Sequence, residues 1–177
     1  MIAHISMLRG INVGGKNRIK MEELRELYET LGFENVQTYV QSGNVIFEST
    51  DADITKIANR IEKKIKGVTG LDIPVFIRTR SEFQGLVKNT PFAGKDTTKL
   101  HVTFLSEVPQ YLPVDEINAA KARNEEFSIS GREIYLYCPN GYGITKLSNN
   151  FFERKLNVLA TTRNWNTVNV LLSMTER

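Results

Sequence analysis

Apolar runs of strand length and apolar stripes at helical spacing succeed one another along this 177-residue chain in one order, and the order then returns. Ile2 to Leu8 alternates, with Ala3, Ile5 and Met7 on one face, and reads as a strand. Met21, Leu24, Leu27, Tyr28 and Leu31 recur at helical spacing, with Gly32 as the stop. Val36 to Val40 and Val45 to Phe47 are β-rich runs joined by GlnSerGlyAsn, which makes a hairpin. Ile54, Ile57, Ala58, Ile61 and Ile65 trace a second helical stripe, opposite a face of Lys56, Arg60, Lys63 and Lys64. Ile73 to Ile77 closes the segment as a strand, and Pro74 puts it near an edge or at a strand start. The sequence of elements is βαββαβ.

A short helix over Phe83 to Val87 and a polar loop near Gly94 to Lys99 follow. Then Leu100 to Leu105 reads as a strand, Val114 to Ala122 as a helix, and Phe127 to Ile129 with Ile134 to Cys138 as a hairpin turning at SerGlyArg. Leu147, Phe151 and Leu156 keep helical spacing, ValLeuAlaThr (158–161) is a short strand, and Trp165, Val168, Leu171 and Leu172 lie on a last helix. Two ferredoxin-like repeats (βαββαβ, alpha-beta plait) fit this order: an α+β fold with mostly antiparallel sheets. Residues 1–80 form the first domain, 81–99 a helix and linker, and 100–177 the second domain with an extra C-terminal helix. Element order alone carries the repeat, because no sequence identity between the halves supports it.

Strand direction in such a unit has a spatial consequence. The first and second strands run parallel and the third runs back, so the first strand-to-helix loop and the hairpin turn share one edge of the sheet. Lys16 and Asn44 are therefore expected at one end of the first sheet, and Arg163 and Gly141 at one end of the second.

The segments at those ends resemble a known family. LeuArgGlyIleAsnValGlyGlyLysAsn (8–17), GlnThrTyrValGlnSerGlyAsnValIlePhe (37–47) and ThrThrArgAsnTrpAsnThrVal (161–168) look like signatures of the domain-of-unknown-function 1697 proteins, and the resemblance spans nearly the whole chain. It implies a bacterial source and a pair of alpha-beta plait domains. It implies no activity and assigns no catalytic residue.

The residues themselves suggest binding. In 8–17 a strand runs through an arginine into a glycine-rich turn ending in a lysine. Glycines let backbone N–H groups converge without Cβ obstruction, and Arg9 and Lys16 supply charge to an anion held there with Asn12, Gly14 and Gly15. Gly10 to Lys16 satisfies GxxxxGK, the core of a phosphate-binding loop. Asn17 breaks that motif where a magnesium-binding Ser or Thr belongs, and no later strand delivers a magnesium-binding Asp. Three readings stay open: a nucleotide triphosphatase loop, an anion site without that machinery, and a plain tight connection. Gln41, Ser42 and Asn44 combine turn chemistry with amide and hydroxyl groups suited to reading a base, sugar or peptide edge. At the second edge Arg163 suits a phosphate or carboxylate, with Trp165 or Tyr142 to stack and Lys146, Asn164 and Asn166 nearby. The alternative there is that Asn164 caps the last helix and Trp165 anchors the core.

Conventional catalytic and metal sets are missing. His4 and His101 stand alone on strands and read as structural, Cys138 as a packed thiol, and the pairs Glu22–Glu23 and Glu125–Glu126 as solvated surface. Ser42 is not in a nucleophile elbow. A net charge of +3 and a pI near 9.0 favour anionic partners only weakly. A single cysteine permits no intrachain disulfide, no leader-like start is visible, and no apolar run has bilayer length, which makes the cytoplasm the expected location. The leading expectation is a cofactor-free protein binding a small anionic molecule such as a nucleotide or phosphorylated metabolite. An RNA or single-stranded nucleic-acid module and a structural or interaction module are the alternatives. Enzymatic activity and oligomeric state are left open.

Overall fold

The structure is a computed structural model, and it describes residues 1–176. Two compact units make up the chain: Met1–Leu86 joined by the C-terminal stretch from Val170, and Val87–Asn169. The first holds β1 (Ile2–Leu8), α1 (Met21–Thr30), β2 (Glu34–Tyr39), β3 (Asn44–Ser49), α2 (Ile54–Thr69) and β4 (Val75–Thr79), and most of α3 (Arg80–Lys88). The second holds β5 (Leu100–Leu105), α4 (Val114–Ala120), β6 (Glu126–Ser130), β7 (Glu133–Tyr137), α5 (Asn149–Leu156) and β8 (Ala160–Asn164). The last helix, α6 (Trp165–Met174), begins in the second unit, and its turns from Val170 belong to the first.

Each unit is a four-stranded sheet with every neighbour antiparallel, in the orders β2-β3-β1-β4 and β6-β7-β5-β8. In the first unit Leu8, Val45, Phe47, Val75 and Ile77 bury one sheet face against Leu24, Leu27 and Tyr28 of α1 and Ile57, Ile61 and Ile65 of α2. The spacing of those residues made both helices legible, because a 3.6-residue period puts them on one stripe. Tyr28 and Ser6 share a buried hydroxyl–hydroxyl hydrogen bond of 2.6 Å beneath that stripe, so the phenol enters the core with its polar end satisfied. Leu105, Ile134, Leu136, Cys138 and Ala160 pack likewise on Ile117, Phe151, Phe152 and Leu156.

Superposed by register, the two units repeat one plan in detail. His4 pairs with Thr79 as His101 pairs with Asn164, and Ile5 pairs with Arg78 as Val102 pairs with Arg163. The Leu8 N–H donates to the Gly43 carbonyl at 2.8 Å, and the Leu105 N–H to the Arg132 carbonyl at 2.8 Å. The first residue of each fourth strand donates its N–H to a helix glutamate: Val75 to Glu62 at 2.9 Å, and Ala160 to Glu153 at 3.1 Å. The register aligns HisIleSerMetLeu (4–8) with HisValThrPheLeu (101–105). So a faint identity between the halves does exist, at positions that only strand pairing brings into correspondence.

Three local expectations change. The fourth strand of the first unit begins after Pro74, at Val75. That of the second runs Ala160–Asn164, beginning two residues later than the ValLeuAlaThr strand expected at 158–161. Glu125 is buried and accepts the Ala122 N–H at 2.7 Å, so it belongs to a folded turn and not to solvated surface.

Candidate functional site

The loop after β1 and the turn between β2 and β3 meet at one end of the first sheet, as strand direction requires: Met7 is opposite Asn44. Asn12 joins them. Held at φ +55, it donates through Nδ2 to the Ile19 carbonyl (2.9 Å) and the Gln41 carbonyl (2.8 Å), and its Oδ1 accepts from the Ile19 N–H (2.9 Å). Asn17 donates to the Gly10 carbonyl at 3.0 Å from the far side of the loop.

Between these asparagines Val13 and Lys16 pair in an isolated bridge, the Lys16 N–H donating to the Val13 carbonyl at 3.0 Å. Gly14 and Gly15, at φ +58 and +74, are the two central residues of that miniature hairpin. Positive φ at both positions is the twist such a turn demands, and glycine adopts it without Cβ strain. The lysine thus sits on a β-turn. Helix α1 starts at Met21, with Lys20 at its N-cap position and no side-chain cap. The strand–loop–helix arrangement in which a triphosphatase lysine opens the helix is not the one formed.

In the second turn Gly43, at φ +82, abuts Ile11 and Leu8; a Cβ there would lie 2.6 Å from Ile11 Cδ1 and 3.0 Å from Leu8 Cβ. Asn44 is fully buried, and its amide donates to the Tyr39 carbonyl and Ser42 Oγ, each at 3.0 Å. Its side chain shapes the turn instead of facing solvent. Gln41 and Lys16 are exposed, and Arg9 is half-buried. Arg18 and Lys20, which the sequence reading passed over, are exposed on the same loop, so residues 9–20 hold four cations and no acid. The run LysAsnArgIleLys was the available signal.

At one end of the second sheet, opposite to the end that corresponds to Leu8 and Gly43, Leu100 is opposite Tyr137 and His101 opposite Asn164, so the Pro139–Thr145 turn and the end of β8 do share an edge. Its candidate residues are mostly committed to the fold. Arg163 is buried, and its Nη1 donates to Thr161 Oγ1 (2.8 Å) and the Thr162 carbonyl (3.0 Å). Burial pulls its pKa down to about 10, which still leaves the guanidinium charged at neutral pH. Asn164 Oδ1 accepts the Thr167 N–H at 2.8 Å and caps α6. Trp165 is half-buried, short of a full core anchor, while Asn166 and Lys146 are exposed. Tyr142 stacks on His101, ring centroids 4.7 Å apart. Arg78, the buried counterpart of Arg163 on β4, escaped the sequence reading because a lone arginine in an apolar strand carries no local motif.

Burial lowers the pKa of His4 and of His101. The His4 Nε2–H donates to the Asp51 carbonyl at 3.2 Å, and Nδ1 of each histidine has no hydrogen-bond partner among the described residues. Burial also pushes the Cys138 thiol up to about 12, with the Glu125 carboxylate adding to the effect, so it is protonated and unreactive at neutral pH. Among the described residues no three His, Cys, Asp or Glu side chains gather as a metal site, and no helix is long and apolar enough to cross a membrane.

These features define an α+β protein of two repeated antiparallel units with a basic, asparagine-clasped loop at one sheet end. The chain belongs to the family described as "Protein of unknown function (DUF1697)", whose profile matches residues 1–135; the 161–168 segment lies beyond the matched residues. Among solved structures it is similar to the conserved bacterial protein SP0830 from Streptococcus pneumoniae, with a TM-score of 0.76 and 24% identity over 100% of this chain and 99% of that one. That likeness is one of fold. No curated protein matches the chain.

Proposed function

We propose that the basic end of the first unit binds a small anionic ligand, a nucleotide or phosphorylated metabolite, through Arg9, Lys16, Arg18 and the adjacent turn at Gln41. The observation that supports this reading is the run of four cations without an acid across residues 9–20, on a loop that Asn12 and Asn17 hold in one shape. A loop ordered before binding spends little of its contact energy on immobilisation. The second edge is read as architectural, since Arg163 and Asn164 are engaged within the fold. The same proposal takes both units as ferredoxin-like, from their strand order, and the protein as cytoplasmic, from its one buried cysteine.

Thermal-shift titration with phosphate, sugar phosphates and nucleotides tests the reading. A ligand at a hundred times its Kd stabilises the fold by about 2.7 kcal/mol, well within the resolution of the method. The expected result is a shift with at least one anion that Lys16→Ala and Arg18→Ala each reduce. No shift with any anion, or equal shifts in both variants, overturns it. Binding of mixed RNA that weakens steeply with salt would instead favour a nucleic-acid ligand.

A further inference from the structure

Among the described residues four strands lie at sheet edges, and three of them are guarded. An open edge strand is a template for pairing with another chain, which proteins blunt with bulges, proline or covering side chains. On β2 the register slips between Glu34 and Gln37, with Asn35 at φ +51, so the edge is broken. The start of β4 follows Pro74, and its first N–H is taken by the Glu62 carboxylate. Edge β8 has its first N–H taken in the same way by Glu153.

Edge β6 has none of these devices. Glu126–Ser130 pairs with β7 residue for residue, without a bulge, up to a two-residue turn in which Gly131 has φ +58. In such a hairpin the residues flanking the turn exchange backbone hydrogen bonds, and so does every second residue behind them. Ser130, Ser128 and Glu126 therefore point their backbone groups at β7, and Phe127 and Ile129 point theirs outward. An open groove of about 490 Å³ runs along this edge, lined on its flanks by Phe92, Leu112, Val114 and Asn118. Leu112 and Val114 are each 44% exposed.

We infer that β6 is the surface through which two copies of this chain pair, edge to edge and antiparallel about a two-fold axis at Ser128. The strand is complementary to itself in that register. Phe127 exchanges both hydrogen bonds with the partner's Ile129, and Ile129 with the partner's Phe127. Ser128 meets its own copy in the wide position, where Cα atoms approach to about 4.5 Å. The one charge of the strand, Glu126, falls opposite the partner's Ser130 and is already neutralised within its own chain by Lys95 at 2.8 Å, so no like charges oppose. Leu112 and Val114 flank the new strand pair and gain cover from it. A two-fold contact of this kind closes on itself and leaves no further β6 edge exposed.

Ser128→Cys tests the geometry directly, because the only other cysteine, Cys138, is buried. Mild oxidation should give a covalent dimer at twice the 20.1 kDa of one chain. Wild-type sedimentation should show mass rising toward that dimer with concentration. Ser128→Lys should weaken dimerisation roughly tenfold or more, two like charges then facing across the axis, and an equimolar mixture with Ser128→Asp should restore it. Restoration by mixing separates a lost contact from a lost fold, and thermal melts of each variant check the latter. A wild-type chain that stays monomeric at every concentration overturns the inference. So does a dimer that Ser128→Lys leaves intact and Ser128→Cys fails to cross-link.

Discussion

Gly43 shows how much one position can carry. Its backbone is left-handed and its missing side chain leaves room for Ile11 and Leu8, so a single methyl meets both strain and a 2.6 Å contact. Gly43→Ala should destabilise the protein by roughly 2–4 kcal/mol, read as a lower denaturant midpoint at unchanged slope. A shift of a few tenths would mean that the turn relaxes easily and does not hold the loop. SerGly between two strands announced a turn in the sequence; that this glycine is also a packing surface for Ile11 was invisible there, because the contact comes from another loop. Asn44 and Arg163 teach the converse. Both are polar and next to glycine or asparagine, which makes them look like ligand residues, and both prove buried and hydrogen-bonded within the fold.

Among elements, the loop from Arg9 to Lys20 depends on a side-chain clasp and not on regular structure. Asn12 makes three hydrogen bonds that tie it to Ile19 and to the neighbouring turn. Asn12→Ala should cost roughly 1–2 kcal/mol and also weaken anion binding, because the cations lose their common frame. Calorimetry on the variant with whichever anion stabilises the wild type checks it; unchanged affinity would mean that the frame does not matter to the site. Helix α2 is capped at both ends by the residues that flank it. Asp53 accepts the Lys56 N–H at 3.0 Å to open α2, and Gly70 closes it at φ +75. Such caps are local, so they can be read from the chain.

Across the whole molecule, the duplicated plan puts a histidine at the same place in each unit, His4 buried and His101 half-buried, and this couples stability to pH. Burial outweighs the nearby Asp51 and Glu82 carboxylates at His4, and it outweighs the Lys99 backbone contact at His101, so both pKa values fall below the ordinary 6.5. The unfolded chain then binds more protons than the folded one below that value. Stability is full above pH 6.5 and declines as pH falls toward the folded-state pKa values. Melting temperature measured against pH should therefore drop on the acid side of neutrality, and the double variant His4→Leu, His101→Leu should lose much of that slope. An identical slope in the variant would place the titrating groups elsewhere.

What the sequence determined by itself was periodic and local. Alternation, helical stripes, caps and turn residues depend on neighbours within a few positions, so the element order, the hairpins and the class of sheet could be read from it. Strand direction also places Lys16 with Asn44 and Arg163 with Gly141, since direction follows from the order of elements. The tertiary structure alone decided which polar groups are spent. Whether an asparagine faces a ligand or a carbonyl, and whether an arginine lies in solvent or under a sheet, depends on residues tens of positions away. Desolvation makes that partner choice decisive, because a buried polar group must be satisfied where it lies. For the same reason the correspondence of His4 with His101 and of Arg78 with Arg163 emerged only with the register. Two short strands share too few identities to align by type, but hydrogen bonding permits only one way to pair them.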